Sequence, residues 1–476
     1  MNQLMTASYH IETIGCQMNV YDSERMADHI ESMGYQRANA VDAADLVIMN
    51  TCAIREKAEQ KVFSYLGRLA PLKRRHPELI IAVGGCVAQQ EGERILSRMP
   101  HVDLVFGTHA IRNLAQHIET IRHKRRRIVD VAMDGGAILE APNAASAALE
   151  RPSRFVTIMQ GCDNYCTYCV VPHVRGPEAS RHPDDILEEI RTLAHSGVRE
   201  VTLLGQNVNS YGLKEGMCSF AELLRRVDQV DGLQRIRFTT SHPKDLSDEL
   251  IRCFSDLGKL CGHIHLPVQS GSDRTLKRMN RKYTRKDYLN IINRLRSTRP
   301  DIAVTSDFIV GFPGETEADF QDTLSLVERV QLDGMFAFKY SDRPSAPASR
   351  FPEKISEPVK KQRLQVLLDT QELITRKKHA ALVGTRQEIL VEGFSKATVA
   401  DNPTEPRTTP PWTGRTPQNK IVHFSDGNGN GPALAISVGK LVWITIERAF
   451  SHSLWGRPVE RELDMPSAKG DHSDAS

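Results

Sequence analysis

Short apolar runs alternate with longer amphipathic segments along the first 130 residues. The runs YHIETIG, DLVIMN, LIIAVGG and VDLVFG have the length and composition of strands. The segments between them, such as DSERMADHIESMGY, have apolar residues at helical spacing. This β-α order predicts a parallel sheet covered by helices, a small doubly wound α/β domain at residues 8–125.

The same alternation resumes after a stretch with no apolar period. Residues 134–150 are rich in Ala, Pro and Gly and are interpreted as a linker. Six strand-like runs then follow, separated by helical segments: RFVTIMQG, VREVTLLG, LQRIRFTT, GHIHLPV, AVTSDFIVG and MFAFKY. They predict a full or partial parallel barrel at residues 151–380, with its chemistry at the carboxyl ends of the strands.

The pattern changes again after about Leu382. The short strands RQEILVEGFS, KIVHFS and KLVWITIERAF are separated by Pro, Gly and Asn. They predict a small antiparallel β-barrel at residues 384–452, an architecture that often binds oligonucleotides. We expect the Pro-rich insertion ATVADNPTEPRTTPPWTGRT to extend a loop, with Trp412 either stacking on RNA or packing on the barrel. Residues 463–476 are predicted to be disordered.

The composition of the chain limits the cellular compartments and the binding partners that can be expected. No apolar run is long enough to span a bilayer and the N-terminus does not resemble a secretory signal, so we expect a cytoplasmic protein whose nine cysteines are reduced. Residues 376–461 carry 12 Lys and Arg against 7 Asp and Glu. This surplus favours a polyanionic partner, although a mildly biased solvated surface is the alternative.

Three cysteines with C-x3-C-x2-C spacing directly follow the first barrel strand. Cys162, Cys166 and Cys169 can hold three irons of a [4Fe–4S] cluster and leave the fourth iron open. The open iron can bind the amino and carboxylate groups of S-adenosylmethionine, whose cleavage yields a radical. The alternative is a zinc site completed by a distant His.

A second set of three cysteines is dispersed along the N-terminal domain. Cys16, Cys52 and Cys86 each follow one of its predicted strands. Because the carboxyl ends of parallel strands lie at the same edge of a sheet, we expect the three thiols to converge there as ligands of a second cluster. Cys218, Cys253 and Cys261 have no such placement and are expected to be ordinary thiols, and His263 and His265 are expected to be structural.

Two three-cysteine sites followed by a small β-barrel resemble the methylthiotransferase family of radical S-adenosylmethionine enzymes. The stretches GCQMNVYDSERM, NTCAIREKAEQKVFSYLG, VGGCVAQQEGERI and GCDNYCTYCVVPHVRG are similar to its tRNA-modifying branch, and the resemblance extends over roughly residues 8–460. It implies an N-terminal methylthiotransferase domain with an auxiliary cluster, a radical S-adenosylmethionine core shaped as a partial (β/α)6 barrel, and a C-terminal TRAM domain that binds RNA.

The resemblance also implies contacts beyond the cysteines. S-adenosylmethionine is expected to contact residues that end three barrel strands, namely Gly205, Gln206, Gln269, Ser270, Val310 and Gly311. Plain turns and helix caps are the alternatives for these residues. The candidate RNA-binding residues of the C-terminal module are Arg386, Lys396, Arg415, Lys420 and Lys440.

The reaction implied by the resemblance uses two molecules of S-adenosylmethionine and two [4Fe–4S] clusters. One S-adenosylmethionine methylates sulfur carried at the auxiliary cluster. The other S-adenosylmethionine is cleaved to a radical, which removes the C2 hydrogen of N6-(dimethylallyl)adenosine at position 37 of tRNA, next to the anticodon. The product is the 2-methylthio derivative, and no catalytic residues beyond the cluster ligands are expected. The implied partners are the tRNA anticodon loop, an electron donor such as a flavodoxin, and a sulfur source; we expect a monomer.

Three alternatives remain at this point. A related branch methylthiolates an aspartate of a ribosomal protein, and another acts on threonylcarbamoyladenosine in tRNA. The third alternative is a non-enzymatic iron–sulfur or zinc protein that binds RNA. One departure from the family pattern is RPSAPA, where Ser345 and Ala346 replace the Gly and Thr of R-P-G-T-P-A.

Overall fold

The computed structural model describes residues 7–53, 56–133, 151–395, 410–425 and 436–459. The predicted linker at 134–150, the predicted tail at 463–476 and the candidate Lys396 lie outside the described residues. The chain divides into two compact units, residues 1–374 and 375–476. The first unit contains both the N-terminal domain and the central barrel. No helix within the described part of the chain is long and apolar enough to cross a membrane.

The N-terminal domain is built on a parallel sheet of six strands in the order β2-β1-β3-β4-β5-β6. The strands are β1 (Ser8–Ile14), β2 (Gln36–Arg37), β3 (Leu46–Thr51), β4 (Ile80–Gly85), β5 (Leu104–Phe106) and β6 (Ile128–Asp130). The helices are α1 (Gln17–Ser32), α2 (Glu56–Arg75), α3 (Cys86–Glu91), α4 (Glu93–Arg98) and α5 (Leu114–Lys124). The sheet therefore continues past residue 125, where the sequence placed the end of this domain.

Helices cover both faces of this sheet, because its central strands alternate their buried side chains between two cores. Leu46 and Ile48 of β3 pack with residues of α1 and α5 on one face. Val47 and Met49 pack with residues of α2 and α4 on the other face. A strand buried on both sides is apolar throughout, which is why DLVIMN was recognisable from sequence. The predicted doubly wound arrangement is confirmed.

The central domain is an open barrel of six main parallel strands, with a short two-stranded antiparallel sheet beside them. Its strands are β7 (Ser153–Thr157), β8 (Met159–Gln160), β9 (Ala179–Ser180), β10 (Glu200–Leu204), β11 (Arg235–Thr239), β12 (His263–His265), β13 (Ala303–Val310) and β14 (Gly334–Lys339). Its helices are α6 (Val171–Val174), α7 (Pro183–His195), α8 (Phe220–Asp228), α9 (Asp248–Asp256), α10 (Asp273–Arg278), α11 (Arg285–Thr298), α12 (Glu317–Val330) and α13 (Glu357–Ala380).

The six main strands of this barrel form two three-stranded parallel sheets, β11-β10-β7 and β12-β13-β14. The sheets are joined by a single parallel bridge between Ile236 and Leu260. Apolar residues from strands of both sheets and from the surrounding helices share one hydrophobic core. The predicted partial barrel is confirmed, and its strands all end at the same rim.

The second unit contains a closed five-stranded barrel in the order β15-β16-β17-β19-β18. The strands are β15 (Arg386–Phe394), β16 (Trp412–Arg415), β17 (Ile421–Phe424), β18 (Leu441–Ala449) and β19 (Leu454–Val459). The pair β17–β19 is parallel and the other pairs are antiparallel. The predicted small C-terminal β-barrel is confirmed. A closed ring with an odd number of strands cannot alternate direction at every pair, so the barrel departs from the antiparallel prediction at the β17–β19 pair.

Two details of this barrel differ from the sequence-based picture. β19 lies beyond residue 452, the predicted end of the module. β16 lies inside the Pro-rich insertion, so the prediction that this stretch extends a loop is wrong for Trp412–Arg415, which pair with β15 and β17. The Trp412 ring stacks on Phe394 with centroids 4.2 Å apart and packs against the barrel core, while Phe394 remains 54% exposed.

Candidate functional site

The three N-terminal cysteines follow neighbouring strands at one edge of the sheet. Ile14 of β1 is in register with Thr51 of β3, and Thr51 is in register with Gly85 of β4. Cys52 and Cys86 come directly after β3 and β4, and Cys16 lies two residues past β1. The structure thus brings Cys16, Cys52 and Cys86 together, as the sequence led us to expect. Their role as ligands stays a prediction.

Two fully buried asparagines fix the backbone of this site. Asn19, in the first turn of α1, donates through Nδ2 to Asn50 Oδ1 and to the Thr51 carbonyl, both at 3.0 Å. Asn50 in turn donates to the Asn19 carbonyl at 2.8 Å. Asn19 Oδ1 also accepts from the backbone N–H of Cys16 at 3.3 Å. This reciprocal bonding holds the start of α1, with its Cys16, against the end of β3, with its Cys52.

Gly85 allows the third cysteine to turn into this site. Its φ of +89° is a conformation that side chains with a Cβ rarely adopt, and an added Cβ would overlap the Thr51 carbonyl oxygen. Only glycine therefore lets β4 pass beside β3 and turn directly into α3, which begins at Cys86.

The surroundings of these thiols shift the pKa values of Cys16 and Cys86 in opposite directions. The pKa of Cys16 is lowered to about 6, chiefly by a hydrogen bond with the Cys52 sulfur, with the Arg175 guanidinium acting in the same direction. Burial raises the pKa of Cys86, and the same Arg175 opposes that shift. Arg175 belongs to the central barrel domain, so this site is formed by both domains of the first unit.

The barrel cysteines lie on a loop that begins just after β8. Each of their sulfur atoms accepts one N–H: Cys162 Sγ from Asn164 Nδ2 at 3.4 Å, Cys166 Sγ from Arg281 Nη1 at 3.3 Å, and Cys169 Sγ from the Val171 backbone at 3.5 Å. Hydrogen bonds to sulfur are one of the means by which proteins set the reduction potential of iron–sulfur clusters. The donor set therefore fits a cluster with three cysteine ligands.

Burial and mutual repulsion act on two of these thiols. The pKa of Cys169 is raised to about 12, first by burial and then by the neighbouring Cys166 sulfur. Burial also raises the pKa of Cys162, with Cys166 adding to the shift. A raised pKa keeps a thiol protonated near neutral pH, so metal binding at these cysteines would release protons.

Gly161 shapes the start of the loop. Its φ is +80°, and an added Cβ would overlap the carbonyl oxygens of Pro177 and Gly176. Its N–H donates to Gln206 Oε1 at 2.5 Å, which connects the cysteine loop to the end of β10. Gln206 is one of the residues predicted to contact S-adenosylmethionine, and the structure places it beside the cysteine loop. Gly205, next to it, packs closely on Met159.

The other four predicted S-adenosylmethionine contacts lie at the ends of β12 and β13. Gln269 has a φ of +76° and lies opposite Phe308 in a parallel bridge, where its N–H donates to the Asp307 carbonyl and its carbonyl accepts from the Ile309 N–H. The Ser270 side chain is fully buried and bonds to Thr323 Oγ1 and the Ser272 N–H, within the protein. The Val310 carbonyl accepts from the Tyr340 N–H, and the Gly311 N–H donates to Glu315. These four contacts remain predictions.

Among the residues that the structure describes, no three or more His, Cys, Asp or Glu side chains lie close enough together to bind a single metal ion. A four-iron cluster binds each thiolate at a different iron, so it does not need that arrangement. Cys253 packs in the barrel core, and His265 bonds to Thr305 and Asp307. These contacts agree with a structural role for the two residues, which stays a prediction.

Helix α1 packs the N-terminal domain against the barrel. Arg175 pairs with Asp22 at 2.7 Å, and Arg154 pairs with Glu24 at 3.1 Å. Tyr21 of the same helix lies beside the buried pair formed by Arg181 and Glu189. Beyond α1, Thr108 Oγ1 donates to the Val174 carbonyl at 2.8 Å. The barrel segment that carries three cysteines is thus tied directly to the domain that carries the other three.

The described candidates for RNA contact are distributed over the C-terminal barrel. Arg386 begins β15 and Lys440 precedes β18, and both are exposed. Arg415 in β16 pairs with Glu392 at 3.1 Å. Lys420 lies in the turn between β16 and β17, where its N–H donates to Thr416.

Sequence reasoning missed four residues of the two sites: Asn19, Asn50, Arg175 and Arg281. Arg175 lies inside VVPHVRG and Asn50 directly precedes Thr51-Cys52, so both were in stretches already singled out. Nothing in a single sequence shows that these side chains are buried against sulfur. Arg281 contacts Cys166 across 115 residues of chain, and even Asn19 and Asn50, which bond to each other, are 31 residues apart.

Comparisons with known proteins agree with this architecture. Residues 8–107 match the model of the "Uncharacterized protein family UPF0004", and residues 156–327 match the radical SAM superfamily. A tRNA-2-methylthio-N(6)-dimethylallyladenosine synthase from Desulfosudis oleivorans is 51% identical over 97% of this chain and 98% of its own. The enzyme of that name from Syntrophus aciditrophicus is 49% identical over 95% of each chain, and that from Histophilus somni is 46% identical over 97% of this chain and 94% of its own.

Among solved structures, the chain is similar to the radical S-adenosylmethionine methyltransferase TsrM from Kitasatospora setae, solved with cobalamin and a [4Fe-4S] cluster bound. The TM-score is 0.54 at 12% identity, covering 72% of this chain and 77% of that one. At this identity the similarity concerns the fold.

The fold and the matched models define a radical S-adenosylmethionine enzyme with an additional N-terminal α/β domain, a class that implies a [4Fe–4S] cluster and S-adenosylmethionine. The chain belongs to the family of tRNA-2-methylthio-N(6)-dimethylallyladenosine synthases. The resemblance inferred from the motifs, including the tRNA-modifying branch, is confirmed.

Proposed function

We propose that this chain converts N6-(dimethylallyl)adenosine at position 37 of tRNA to its 2-methylthio derivative, using two [4Fe–4S] clusters. Family membership supports the reaction, and one structural observation supports the use of two clusters. Residues 162–175 begin with the three barrel cysteines and end at Arg175, whose guanidinium interacts with Cys16 and Cys86. One short segment therefore contributes to both three-cysteine sites. This agrees with a reaction in which both clusters must lie near the same base.

Different residues of the chain would hold the two clusters. Cys162, Cys166 and Cys169 would hold one cluster, and Cys16, Cys52 and Cys86 the other. When bound, S-adenosylmethionine would supply a methyl group from one molecule and a 5′-deoxyadenosyl radical from another. Asn164, Arg281 and the Val171 N–H orient the barrel sulfurs, while Asn19 and Asn50 hold the backbone at the N-terminal site.

The target base and the remaining partners follow from this chemistry. An aromatic C–H has no leaving group, so sulfur insertion calls for a radical. The anticodon loop is single-stranded, and proteins read such loops by stacking on their splayed bases. The C-terminal barrel, with its exposed Phe394 and its basic residues, would bind the tRNA. We also propose a cytoplasmic monomer that draws on a flavodoxin-like electron donor and a separate sulfur source.

The test separates the two sites by their products. In the variant Cys16→Ala/Cys52→Ala/Cys86→Ala, methylthio-tRNA should disappear while S-adenosylmethionine is still cleaved to 5′-deoxyadenosine. In the variant Cys162→Ala/Cys166→Ala/Cys169→Ala, both products should disappear. Mass spectrometry of tRNA nucleosides and chromatography of 5′-deoxyadenosine measure the two products, and Cys218→Ala is the control that should retain both.

Two results would contradict the proposal. If the N-terminal variant lost 5′-deoxyadenosine formation while keeping its barrel cluster, the two sites would have to exchange roles. If tRNA carrying threonylcarbamoyladenosine, or a ribosomal protein, were modified in preference to tRNA carrying dimethylallyladenosine, the substrate assignment would be wrong.

A further inference from the structure

Arg175 is a buried cation with an unused donor. Its side chain is 3% exposed, and its Nη2 donates to Asp22 Oδ2 at 2.7 Å. Its Nη1 is buried and makes no well-formed hydrogen bond among the described residues, although the guanidinium lies near enough to the Cys86 thiol to lower that thiol's pKa. Leaving a buried charged donor unpaired is costly, so a partner for Nη1 is expected when the protein is in its working state.

The surroundings of Arg175 include two of the N-terminal cysteines. Val170 and Val174, on the turn just before Arg175, pack in one cluster with Cys86 and Val87. The groups that interact electrostatically with the guanidinium are Asp22, Cys86 and Cys16. Asp22 already engages Nη2, so sulfur is the remaining chemistry on that side.

The backbone holds Arg175 in this position from both domains. Its carbonyl accepts from His109 Nε2 at 3.1 Å and from Gln160 Nε2 at 3.4 Å. The preceding Val174 carbonyl accepts from Thr108. The guanidinium is therefore presented to the N-terminal cysteines by a fixed support.

We propose that Arg175 is a positioning residue that donates its free Nη1–H to sulfur at the Cys16, Cys52 and Cys86 site. This inference rests on the proposed function, since it assumes that these cysteines hold a cluster. It gives each site one buried arginine: Arg281 contacts Cys166 in the barrel, and Arg175 serves the N-terminal site. Arg175 would stabilise the more negative, reduced state of a cluster held by these cysteines.

The experiment measures the reduction potential of each cluster in the full chain. The variants Arg175→Met and Arg175→Lys are prepared in wild type and in the Cys162→Ala/Cys166→Ala/Cys169→Ala background, where only the N-terminal cluster remains. Potentials are followed by electron paramagnetic resonance. Arg175→Met should shift the N-terminal cluster to a more negative potential and leave the barrel cluster unchanged. Arg175→Lys should shift it less, because one ammonium group keeps the charge but cannot reach both Asp22 and sulfur.

A matched control distinguishes this role from domain packing. Glu24→Gln weakens another ion pair of the same interface, with Arg154, without touching the cysteine site. It should leave both potentials unchanged. Methylthio-tRNA formation should fall about 10–100-fold in Arg175→Met, the usual cost of removing a group that orients metal ligands, while 5′-deoxyadenosine formation continues.

Each outcome decides the matter. An unchanged N-terminal potential in both Arg175 variants, with iron retained, would overturn the role assigned to Arg175. A similar potential shift in Glu24→Gln would also overturn it, because the effect would then come from the interface in general. If the barrel-cysteine background without any Arg175 change held no iron, the two-cluster proposal itself would fail, which is a different result.

Discussion

At the scale of single residues, the two sites differ in how their sulfur atoms are supported. The barrel sulfurs already have N–H donors from Asn164, Arg281 and Val171. At the N-terminal site, two buried asparagines support the backbone, the Cys16 and Cys52 thiols are hydrogen-bonded to each other, and the Cys16 sulfur accepts from the Asn19 backbone N–H. The two sites therefore differ in that a cluster at the N-terminal site would replace the hydrogen bond between Cys16 and Cys52, whereas no thiol–thiol hydrogen bond has to be replaced among the described barrel contacts.

Iron content provides a direct test of the two sets of ligands. Anaerobically reconstituted protein should bind about eight irons, four for each cluster. Replacing Cys162, Cys166 and Cys169 with Ala should leave about half, because the other three thiols lie in a separate domain. The measurement is colorimetric iron and sulfide analysis of folded protein.

The control for iron content is Cys218→Ala, since Cys218 belongs to neither site. It should keep the full complement. Full iron in the barrel triple variant would contradict the assignment of those ligands, and zinc in place of iron in wild type would contradict both clusters.

The six site cysteines could be predicted because each follows a strand, and the strands were readable from their apolar runs. Asn19, Arg175 and Arg281 could not be predicted in the same way. Their importance comes from burial against sulfur, and burial is decided by segments that are distant in sequence.

At the scale of elements, side-chain hydrogen bonds stabilise the N-terminus of helix α12. Thr316 and Asp319 form a capping box, in which each side chain bonds to the other residue's backbone N–H. Asp319 also accepts from Ser272 Oγ at 2.5 Å and pairs with Arg274. Burial would raise the pKa of Asp319, but the hydrogen bonds from Arg274, Ser272 and Thr316 outweigh it and lower the pKa.

This shift predicts a pH-dependent contribution to stability. A carboxyl group with a lowered folded-state pKa stabilises the protein above its unfolded pKa of about 3.9, and the contribution is lost as the pH falls below that value. Asp319→Asn should therefore lower the free energy of unfolding by about 2 kcal/mol at neutral pH. The difference from wild type should shrink below about pH 4.

Chemical denaturation of the apo protein at several pH values measures this effect. Asp322→Asn is the matched control, because it makes the same chemical change at an exposed position of the same helix. An Asp319→Asn deficit that stayed constant from pH 7 to pH 3 would show that the carboxylate charge is not the cause.

Element prediction failed mainly at short strands on sheet edges and seams. β2 and β6 are two and three residues long and form the edges of the N-terminal sheet. Such segments contain too few residues to show a period. β19 was missed because LWGRPV contains both Gly and Pro, which argue against a strand in a single sequence.

At the scale of the whole molecule, the division after Ile374 separates the unit with both cysteine sites from the unit with the β-barrel. No proposed cluster ligand lies in the second unit. Removing residues from 384 onward should therefore leave both clusters in place and weaken tRNA binding strongly. The reason is that the surplus of Lys and Arg in this part neutralises phosphates and releases counterions.

The salt dependence of tRNA affinity distinguishes this reason from its alternative. Affinity of the full chain should fall steeply with added salt, and the truncated chain should show a shallower slope. Fluorescence anisotropy with labelled tRNA at two salt concentrations measures both. If the truncated protein lost its clusters but the folded remainder bound tRNA as before, the barrel would be a stabilising cap and would not bind RNA.

The buried pairs along helix α1 also have a consequence for recombination between related enzymes. Asp22 and Glu24 come from one domain, while their partners Arg175 and Arg154 come from the other. A chimera that joined this N-terminal domain to the barrel of a relative lacking either arginine would carry an uncompensated carboxylate at the junction. Breaking a fully buried pair such as Asp22–Arg175 costs about 3–5 kcal/mol, a large part of a typical domain's stability. Exchange of these domains during evolution, or in the laboratory, should therefore succeed only when both sides of the α1 interface are transferred together.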